Sequence, residues 1–415
     1  MLASGSTHRL GFYISNCEPK RLGGNFSAQA QIQLYRRPIQ KMKSGSCRAL
    51  PAAIFFTIGF VMRLQAYGPD GHEIVGAIAD ERLANTPTAA KIRALIGGLS
   101  LEKAAVIADE IKGWDKKGVD DSKAFHYSAY PKIDRQLRDF WRANQPTHNP
   151  GSTMPSHHWF HYTDVPVARV EKYAEGQTGR SKWDVVHMIP YCVEVLRGRV
   201  PEQNERKITK PVALILLAHY VGDIHQPLHV GAEYFDAQGR IAGPDKDKFS
   251  VADEGGNTFT LELSDEAPRG RGIHKKKLHG FWDNDAVNAL FPKIPNNLPK
   301  NERQAQIDPA KKQLAHEMAM HEPKSWRIPP NIDISGYAEA WADEILPIAR
   351  EAHERLQFTD VHVQQEEDRV VAAGEGREKA SPDHISYRAW AANVVREELH
   401  KAGWRLADLL EKALR

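Results

Sequence analysis

The sequence is poor in cysteine and lacks long hydrophobic runs and internal repeats. Only three cysteines occur in 415 residues, and Cys192 is the only one after residue 66. A disulfide framework is therefore excluded for most of the chain. The most apolar run, residues 49–62, is shorter than the roughly 20 residues that a membrane-spanning helix needs. We expect a buried core and bound metal ions to stabilise the fold.

The first 66 residues have the organisation of a targeting segment. Basic residues such as Lys43 and Arg48 precede the apolar run, and the sequence RLQA follows it. This order is typical of a secretory signal peptide. We predict a signal peptide at residues 42–66, cleaved after Ala66, and a secreted or periplasmic protein. Residues 1–41 are interpreted as an extension from a misassigned start codon, and a membrane anchor is the alternative interpretation of the apolar run.

Net charge gives no support for a general attraction to nucleic acid. The formal charge of the sequence is +3, but nine of its 56 basic residues and one of its 53 acidic residues lie in residues 1–66. Residues 67–415 therefore hold 47 basic and 52 acidic side chains, with a net charge of −5. Any attraction to phosphate must come from local cations or metal ions.

Helical periodicity after residue 66 predicts a mainly α fold with a single large helical domain. Apolar residues three and four positions apart recur in residues 71–83, 334–356 and 386–414, and a uniformly apolar segment at residues 211–224 predicts a buried central helix. Residues 249–263 predict a small β-hairpin around two glycines. Polar, Gly-rich or Pro-rich segments predict loops at residues 114–156, 232–248, 292–301 and 361–382. The first loop is interpreted as an insertion, and the last as a solvent-exposed connection between helices.

The sequence AHYVGDIHQPLHVG, residues 218–231, carries the strongest functional signal. His219 and Asp223 are four residues apart, so on a helix they lie on one face. Gln226 and Pro227 interrupt the helix, which lets His229 turn back toward the same place. Imidazole and carboxylate groups in this arrangement are typical of zinc sites. A histidine capped by an aspartate on a helix surface is the alternative interpretation.

Further clusters of histidine and carboxylate residues occur elsewhere in the chain. They are His72; Asp109 with Lys112; His161 with Tyr162 and Asp164; and His279 with Asp283. Each cluster alone also fits a buried histidine or a surface pair. Together with the central segment they supply five histidines and three carboxylates, which predicts a polynuclear zinc site.

These clusters, with the sequence GGN at residues 255–257 and HGFWDN at residues 279–284, resemble the S1/P1 nuclease family of secreted enzymes with three zinc ions. The resemblance covers most of residues 67–415. It implies the helical fold shared with zinc-dependent phospholipase C. It also implies an endonuclease that hydrolyses single-stranded DNA and RNA to 5′-phosphorylated products, with 3′-nucleotidase activity. The expected substrates are nucleic acids and nucleotides, and we expect a monomer without a stable protein partner.

Carried over by position, the resemblance implies three zinc sites. The first ion would be held by Asp109, His161, His219 and Asp223. The second would be held by His229, His279 and Asp283. The third would be held by His72, Asp223 and the α-amine and carbonyl oxygen of Tyr67. Asp223 would therefore bridge the first and third ions.

The resemblance also implies roles for residues beside the ions. Asp109 and Asp223 are the expected catalytic carboxylates, and Lys112 and Asn284 would contact phosphate oxygens in the transition state. Next to these groups, Tyr162 would stack on an unpaired base, which favours single strands. Asp164 would accept hydrogen bonds from the edge of that base. Each of these residues also has a structural interpretation. Lys112 would then be a surface lysine and Asn284 a helix-capping residue, while Tyr162 would belong to the core and Asp164 to a turn.

The chain departs from the family pattern in three ways, one of which is that it lacks the disulfides found in some relatives. Tyr67 stands where the family has tryptophan, a change that should be tolerated because the ligating atoms are backbone atoms. The interval between Asp109 and His161 is longer than in the family, so His126 is an alternative to His161. The rival enzyme is a zinc-dependent phospholipase C, which has glutamate at the position of Asp283 and lacks the WDN sequence. The rival of another class is a non-catalytic exported metal-binding helical protein.

Overall fold

Helices dominate the computed structural model, which describes residues 67–145, 155–247, 249–264, 276–295, 298–366 and 369–415. These residues belong to one compact unit, Val61–Arg415. The fold is mainly α, as predicted. The predicted signal peptide and upstream extension lie outside the described residues.

The helices are numbered here in chain order. They are α1 Gly68–Leu83, α2 Pro87–Ile96, α3 Leu101–Ala104, α4 Ile107–Glu110, α5 Pro131–Ala143, α6 Val185–Leu196, α7 Lys210–Asp223, α8 Leu278–Gly280, α9 Ala286–Asn288, α10 Lys300–Met320, α11 Tyr337–Glu354 and α12 Tyr387–Ala413. Short 3₁₀ turns cover Ile111–Lys116, His157–His161, Pro227–His229 and Ile334–Gly336, and a π-helical turn covers Phe281–Asp285. The four helices predicted from periodicity correspond to α1, α7, α11 and α12 and are confirmed.

Helix α7 forms the centre of the core. Every residue from Pro211 to Asp223 is buried, and the helix contacts α1, α6 and α12. Its start is fixed by the Thr209 hydroxyl, which accepts a hydrogen bond from the Val212 amide. Because the helix is surrounded on all sides, the polar residues of its last turn are also held inside the protein. No helix in the described part of the chain is both long and apolar enough to cross a membrane.

The strands form three small sheets at the edge of the helical core. They are β1 Val165–Pro166, β2 Gly231–Ala232, β3 Tyr234–Phe235, β4 Val251–Ala252, β5 Phe259–Glu262, β6 Leu356–Glu366 and β7 Arg369–Glu378. Strand β1 pairs with β2 in parallel and β3 with β4 antiparallel, while the third sheet has the order β5-β7-β6.

The hairpin predicted at residues 249–263 is wrong. Strand β4 pairs with β3, and β5 pairs in parallel with β7, so the two strands flanking Gly255 and Gly256 do not pair with each other. Both glycines have a positive φ, and their carbonyl groups accept hydrogen bonds from His279, whose ring binds Gly255 and whose backbone amide binds Gly256. The turn therefore connects to a distant segment instead of closing a local hairpin.

Two of the predicted loops contain long regular elements. The charged segment at residues 361–382 belongs largely to β6 and β7, which form an antiparallel hairpin. Residues Val371, Ala372 and Ala373 are buried, while the charged residues at both ends of β7 are more exposed. The predicted insertion contains α5, which buries a stripe of apolar side chains that includes Leu137 and Phe140. Both loop predictions gave too much weight to charged residues on the exposed faces.

Candidate metal centre

The predicted histidine and carboxylate ligands converge in three buried sets. The sets are His72, His219 and Asp223; Asp109, His161 and His219; and His229, His279 and Asp283. Within each set, one ligand atom from every residue lies within 4.8 Å of the others. All of these side chains are buried. The first two sets share His219, and His229 of the third set is hydrogen-bonded to the backbone carbonyl of His161, so the five histidines and three carboxylates form one connected cluster.

The set of Asp109, His161 and His219 lies against the last turn of α7, which carries His219 and Asp223. The Nε2 atom of His219 lies 3.3 Å from Oδ2 of Asp223, the contact expected from their four-residue spacing. The Nδ1 atom of His161 lies 2.9 Å from the same carboxylate oxygen and 3.0 Å from His219 Nε2. Oδ1 of Asp109 is 3.7 Å from His219 Nε2. These separations are close to the roughly 3.3–3.5 Å between ligand atoms of a tetrahedral zinc ion.

His72 and the other carboxylate oxygen of Asp223 form the next set. Nε2 of His72 lies 3.4 Å from Oδ1 of Asp223, and its ring stacks on that of His219 with a centroid separation of 3.8 Å. Both ring nitrogens of His72 and Oδ1 of Asp223 are buried and have no hydrogen-bond partner among the described residues. Buried polar atoms without partners are rare, and facing lone pairs of nitrogen and oxygen fit a metal ion.

Gly222 makes room for His72. A Cβ atom at residue 222 would lie 2.7 Å from Nδ1 of His72, closer than non-bonded atoms approach. The glycine of the YVGD sequence therefore allows the ring to lie against α7, next to Asp223.

The third set is oriented by backbone carbonyls and one side-chain amide. Nδ1 of His229 is hydrogen-bonded to the carbonyl oxygen of His161, and Nδ1 of His279 to that of Gly255, both at 2.8 Å. The two Nε2 atoms consequently face each other at 3.1 Å. Oδ2 of Asp283 lies 3.6 Å from His279 Nε2, and the amide of Gln226 donates to its Oδ1 at 2.9 Å. Such partners commonly fix the tautomer and direction of metal-binding histidines.

Burial sets the protonation states of the cluster. It lowers the pKa of His161, His219 and His229 well below the usual value, with the Lys112 ammonium contributing at each. It also raises the pKa of Asp223 to about 7 and that of Asp283 well above its usual range. These three imidazoles are therefore neutral at neutral pH, which is the ligating form, and the carboxylates of Asp223 and Asp283 need nearby positive charge to ionise.

Tyr67 precedes α1 and is fully buried. Its hydroxyl donates a 2.5 Å hydrogen bond to the carbonyl oxygen of His225, two residues after Asp223. Burial, followed by the charges of Glu398 and Asp283, raises the pKa of its hydroxyl well above 10. The residue has a left-handed backbone with a φ of 32°. The side chain thus fastens the start of α1 beside the cluster.

The predicted phosphate-binding residues flank the metal ligands. Lys112 is buried, and its Nζ donates a 2.6 Å hydrogen bond to Oδ1 of Asp109. Asn284 is exposed, directly after Asp283, and its side-chain oxygen lies next to Gly68 at the start of α1. Lys112 is therefore hydrogen-bonded to one candidate ligand, Asp109, and Asn284 is the sequence neighbour of another, Asp283.

The predicted base-binding residues lie on the chain that follows His161. Tyr162 is half-buried, with its ring centroid 6.0 Å from that of Trp159. Asp164 is also half-buried, and burial raises the pKa of its carboxyl well above the usual range, with Glu254 contributing next. His126 lies apart from the cluster, where its side chain is mostly exposed and pairs with Asp134 at 3.2 Å. The structure thus brings His161, and not His126, to Asp109 and His219.

Some residues of the site were not predicted from the sequence. Gln226 and Gly222 lie inside the central segment, but only the fold shows that they contact Asp283 and His72. The carbonyl oxygen of Ala105 accepts a 2.6 Å hydrogen bond from Nδ1 of His219. A backbone carbonyl carries no sequence signal, whereas a glycine or glutamine between two ligands could have been singled out.

Comparison with known proteins agrees with the resemblance seen in the sequence. A family model described as S1/P1 Nuclease matches residues 67–415. Endonuclease 2 of Arabidopsis thaliana is 24% identical over 172 residues, which cover 39% of this chain and 48% of that protein. Endonuclease 1 of the same plant is 28% identical over 156 residues, covering 35% and 42%. The chain therefore aligns with less than half the length of these curated relatives.

Proposed function

The chain belongs to the S1/P1 nuclease family, and we propose that it is a zinc-dependent endonuclease for single-stranded DNA and RNA. It would hydrolyse phosphodiester bonds to 5′-phosphorylated products and also act on 3′-nucleotides. The observation that carries the proposal is the convergence of five histidines and three carboxylates, drawn from distant parts of the chain, in one buried cluster. The names of the Arabidopsis relatives, which are endonucleases, support the same reaction class.

Three zinc ions fit the donor groups of the cluster. Asp109, His161 and His219 would hold one ion, His229, His279 and Asp283 a second, and His72 with the backbone of Tyr67 a third. Asp223 would serve the first and third ions, because its two carboxylate oxygens face different histidines. Bound zinc would lower the pKa of water toward neutrality and stabilise the negative charge of the phosphate.

The side chains around the ions would bind and orient the phosphodiester. Lys112 is held by Asp109, so its ammonium group is fixed in direction and can balance charge that develops on a phosphate oxygen. The exposed amide of Asn284 can donate a hydrogen bond to another phosphate oxygen. Asp109 therefore combines metal binding with the orientation of Lys112.

Tyr162 and Asp164 would bind the base beside the scissile phosphate. A half-exposed aromatic ring can stack on any unpaired base, whereas a base within a duplex is not free to enter. Because burial raises the pKa of Asp164, its carboxyl can be neutral and offer the base edge both a donor and an acceptor. These two residues would account for a preference for single strands.

Removal of the first 66 residues would complete the third zinc site. The nitrogen of Tyr67 is an amide while Ala66 precedes it, and an amide has no lone pair available for zinc. We therefore propose that the signal peptide is cleaved after Ala66 and that the active enzyme is exported as a monomer. The family match begins at Tyr67, which supports this boundary.

The test is an assay of the zinc-loaded protein beginning at Tyr67. Single-stranded DNA, RNA and 3′-nucleotides should be hydrolysed, duplex DNA much more slowly, and activity should disappear with a chelator and return with zinc. Hydrolysis of phosphatidylcholine in place of nucleic acid would instead identify a phospholipase. Absence of hydrolysis on every substrate, with zinc bound, would contradict the enzymatic proposal and favour a metal-binding protein.

A further inference from the structure

A fourth group of metal-ligating side chains lies outside the three candidate zinc sites. It consists of Asp115, His157 and His158, with one ligand atom from each within 4.8 Å of the others. Nε2 of His157 is 3.3 Å from Oδ1 of Asp115, and Nε2 of His158 is 2.6 Å from Oδ2. None of these residues has a role in the proposed hydrolysis.

We propose that Asp115, His157 and His158 bind a further zinc ion, which joins the two turns that carry residues of the first catalytic site. Two imidazoles and one carboxylate are a donor set that zinc uses in proteins, with water at the fourth position. His157 is buried, whereas the side chain of His158 is 36% exposed, so the group opens to solvent and an ion can enter.

The surroundings of the group resemble those of a built metal site. The indole nitrogen of Trp141 donates a 2.7 Å hydrogen bond to Oδ1 of Asp115 and fixes the direction of the carboxylate.

The position of the group gives the ion a structural role. Asp115 lies in the turn Ile111–Lys116, which also carries Lys112 and directly follows α4, the helix that carries Asp109. His157 and His158 lie in the turn His157–His161, which ends at a candidate ligand. Asp115 and His157 are 42 residues apart in sequence. An ion between them would close this long loop and restrain Asp109 and His161 relative to each other.

The metal content of the whole protein beginning at Tyr67 tests the proposal. The zinc content of the dialysed wild type is compared with that of Asp115→Asn and His158→Ala. The control is His187→Ala, since His187 is part-exposed and pairs with Asp184 at 2.9 Å without a second histidine. We expect each site variant to contain one zinc ion fewer per chain than the wild type, and the control to lose none. Equal zinc content in folded wild type and site variants overturns the proposal, as does loss of more than one ion.

A second measurement needs no substitution. Diethyl pyrocarbonate modifies accessible neutral histidines, and peptide mass spectrometry reports the modification of each one. After removal of metal by a chelator, added Zn²⁺ should slow the modification of His158 and leave that of His187 unchanged. Equal modification of His158 with and without zinc identifies a hydrogen-bonded trio that binds no metal, and overturns the proposal. Both measurements are independent of hydrolysis, so they stand whether or not the proposed nuclease activity is found.

Discussion

Nδ1 of His161 lies 3.0 Å from Nε2 of His219, although 58 residues separate the two in sequence. Both nitrogens also lie within 3.3 Å of the same oxygen of Asp223. The three atoms come from a 3₁₀ turn and from the central helix α7. A cation placed between them would have three donor atoms around it. The other oxygen of Asp223 faces His72. Asp223 is consequently the residue on which two of the proposed ions depend.

Replacement of Asp223 should have the largest effect of any single ligand. We expect Asp223→Ala and the isosteric Asp223→Asn to abolish hydrolysis and to lower the zinc content, because each removes the carboxylate shared by two ions. Loss of a residue that only hydrogen-bonds a metal ligand already lowers metal affinity or activity by about 10–100-fold. Asp139→Ala, at an exposed aspartate paired with Arg142, is the control. Near-normal turnover in the Asp223 variants would show that the bridging assignment is wrong.

Gly222→Ala should damage the site without changing a ligand. The added methyl group would overlap the ring of His72, so we expect lower zinc content and a loss of stability of about 1–3 kcal/mol. Gly280→Ala is the matched control, because a Cβ there would meet nothing within 4 Å. The measurements are metal analysis and urea unfolding. If both variants retain the zinc content of the wild type, the close packing of His72 on α7 is not required for zinc binding.

Tyr162→Ala should weaken substrate binding and reduce the preference for single strands, while the zinc content stays unchanged. Loss of base stacking is expected to cost about 1–3 kcal/mol, seen as a higher KM. Tyr162→Phe keeps the ring and should behave nearly as the wild type. An unfolded or zinc-depleted alanine variant would instead identify Tyr162 as a core residue.

The N-terminus should control activity. A chain that begins at Tyr67 is expected to be active, whereas one with a single additional methionine, or one left uncleaved from Met42, should be nearly inactive. The reason is the free α-amine that the third zinc ion requires. N-terminal sequencing of the secreted protein and metal analysis of each form provide the check. Full activity with a different native terminus would leave an enzyme with two zinc ions.

Stability should fall in mildly alkaline solution because of His353. This buried side chain lies 3.0 Å from Asp253, and although burial opposes protonation, the carboxylates of Asp253 and Glu233 raise its pKa to about 9. The folded state keeps a proton that the unfolded state releases near pH 6.5. The resulting stabilisation, about 3 kcal/mol, is fully present below pH 6.5, decreases above it and is lost as the pH passes 9. The free energy of unfolding of the wild type and of His353→Gln is measured with urea across this pH range. If it changes with pH in the same way for both proteins, the prediction is wrong.

Much of the fold could be predicted because its helices carry a strong local signal. The buried helix α7 is apolar on every side, and α11 and α12 repeat apolar residues at helical spacing, so each was assigned from its own sequence. Helix α5 was overlooked because its outer face is highly charged, although Ile133, Leu137 and Phe140 follow the helical period. The pairing of β5 with β7 joins residues more than 100 positions apart, which local patterns do not encode.

The sequence by itself determined which residues could bind metal and which pairs share a helix face, since a four-residue interval fixes the contact of His219 with Asp223. It also indicated the family through the order of its motifs. Only the tertiary structure showed that His161, and not His126, lies beside Asp109, because spacing along the chain does not say which of two distant histidines folds back onto a helix. Likewise, only the fold brought His157 and His158 to Asp115 across 42 residues or more. Spacing along one helix is set by local geometry, whereas contacts between elements depend on how the whole core packs.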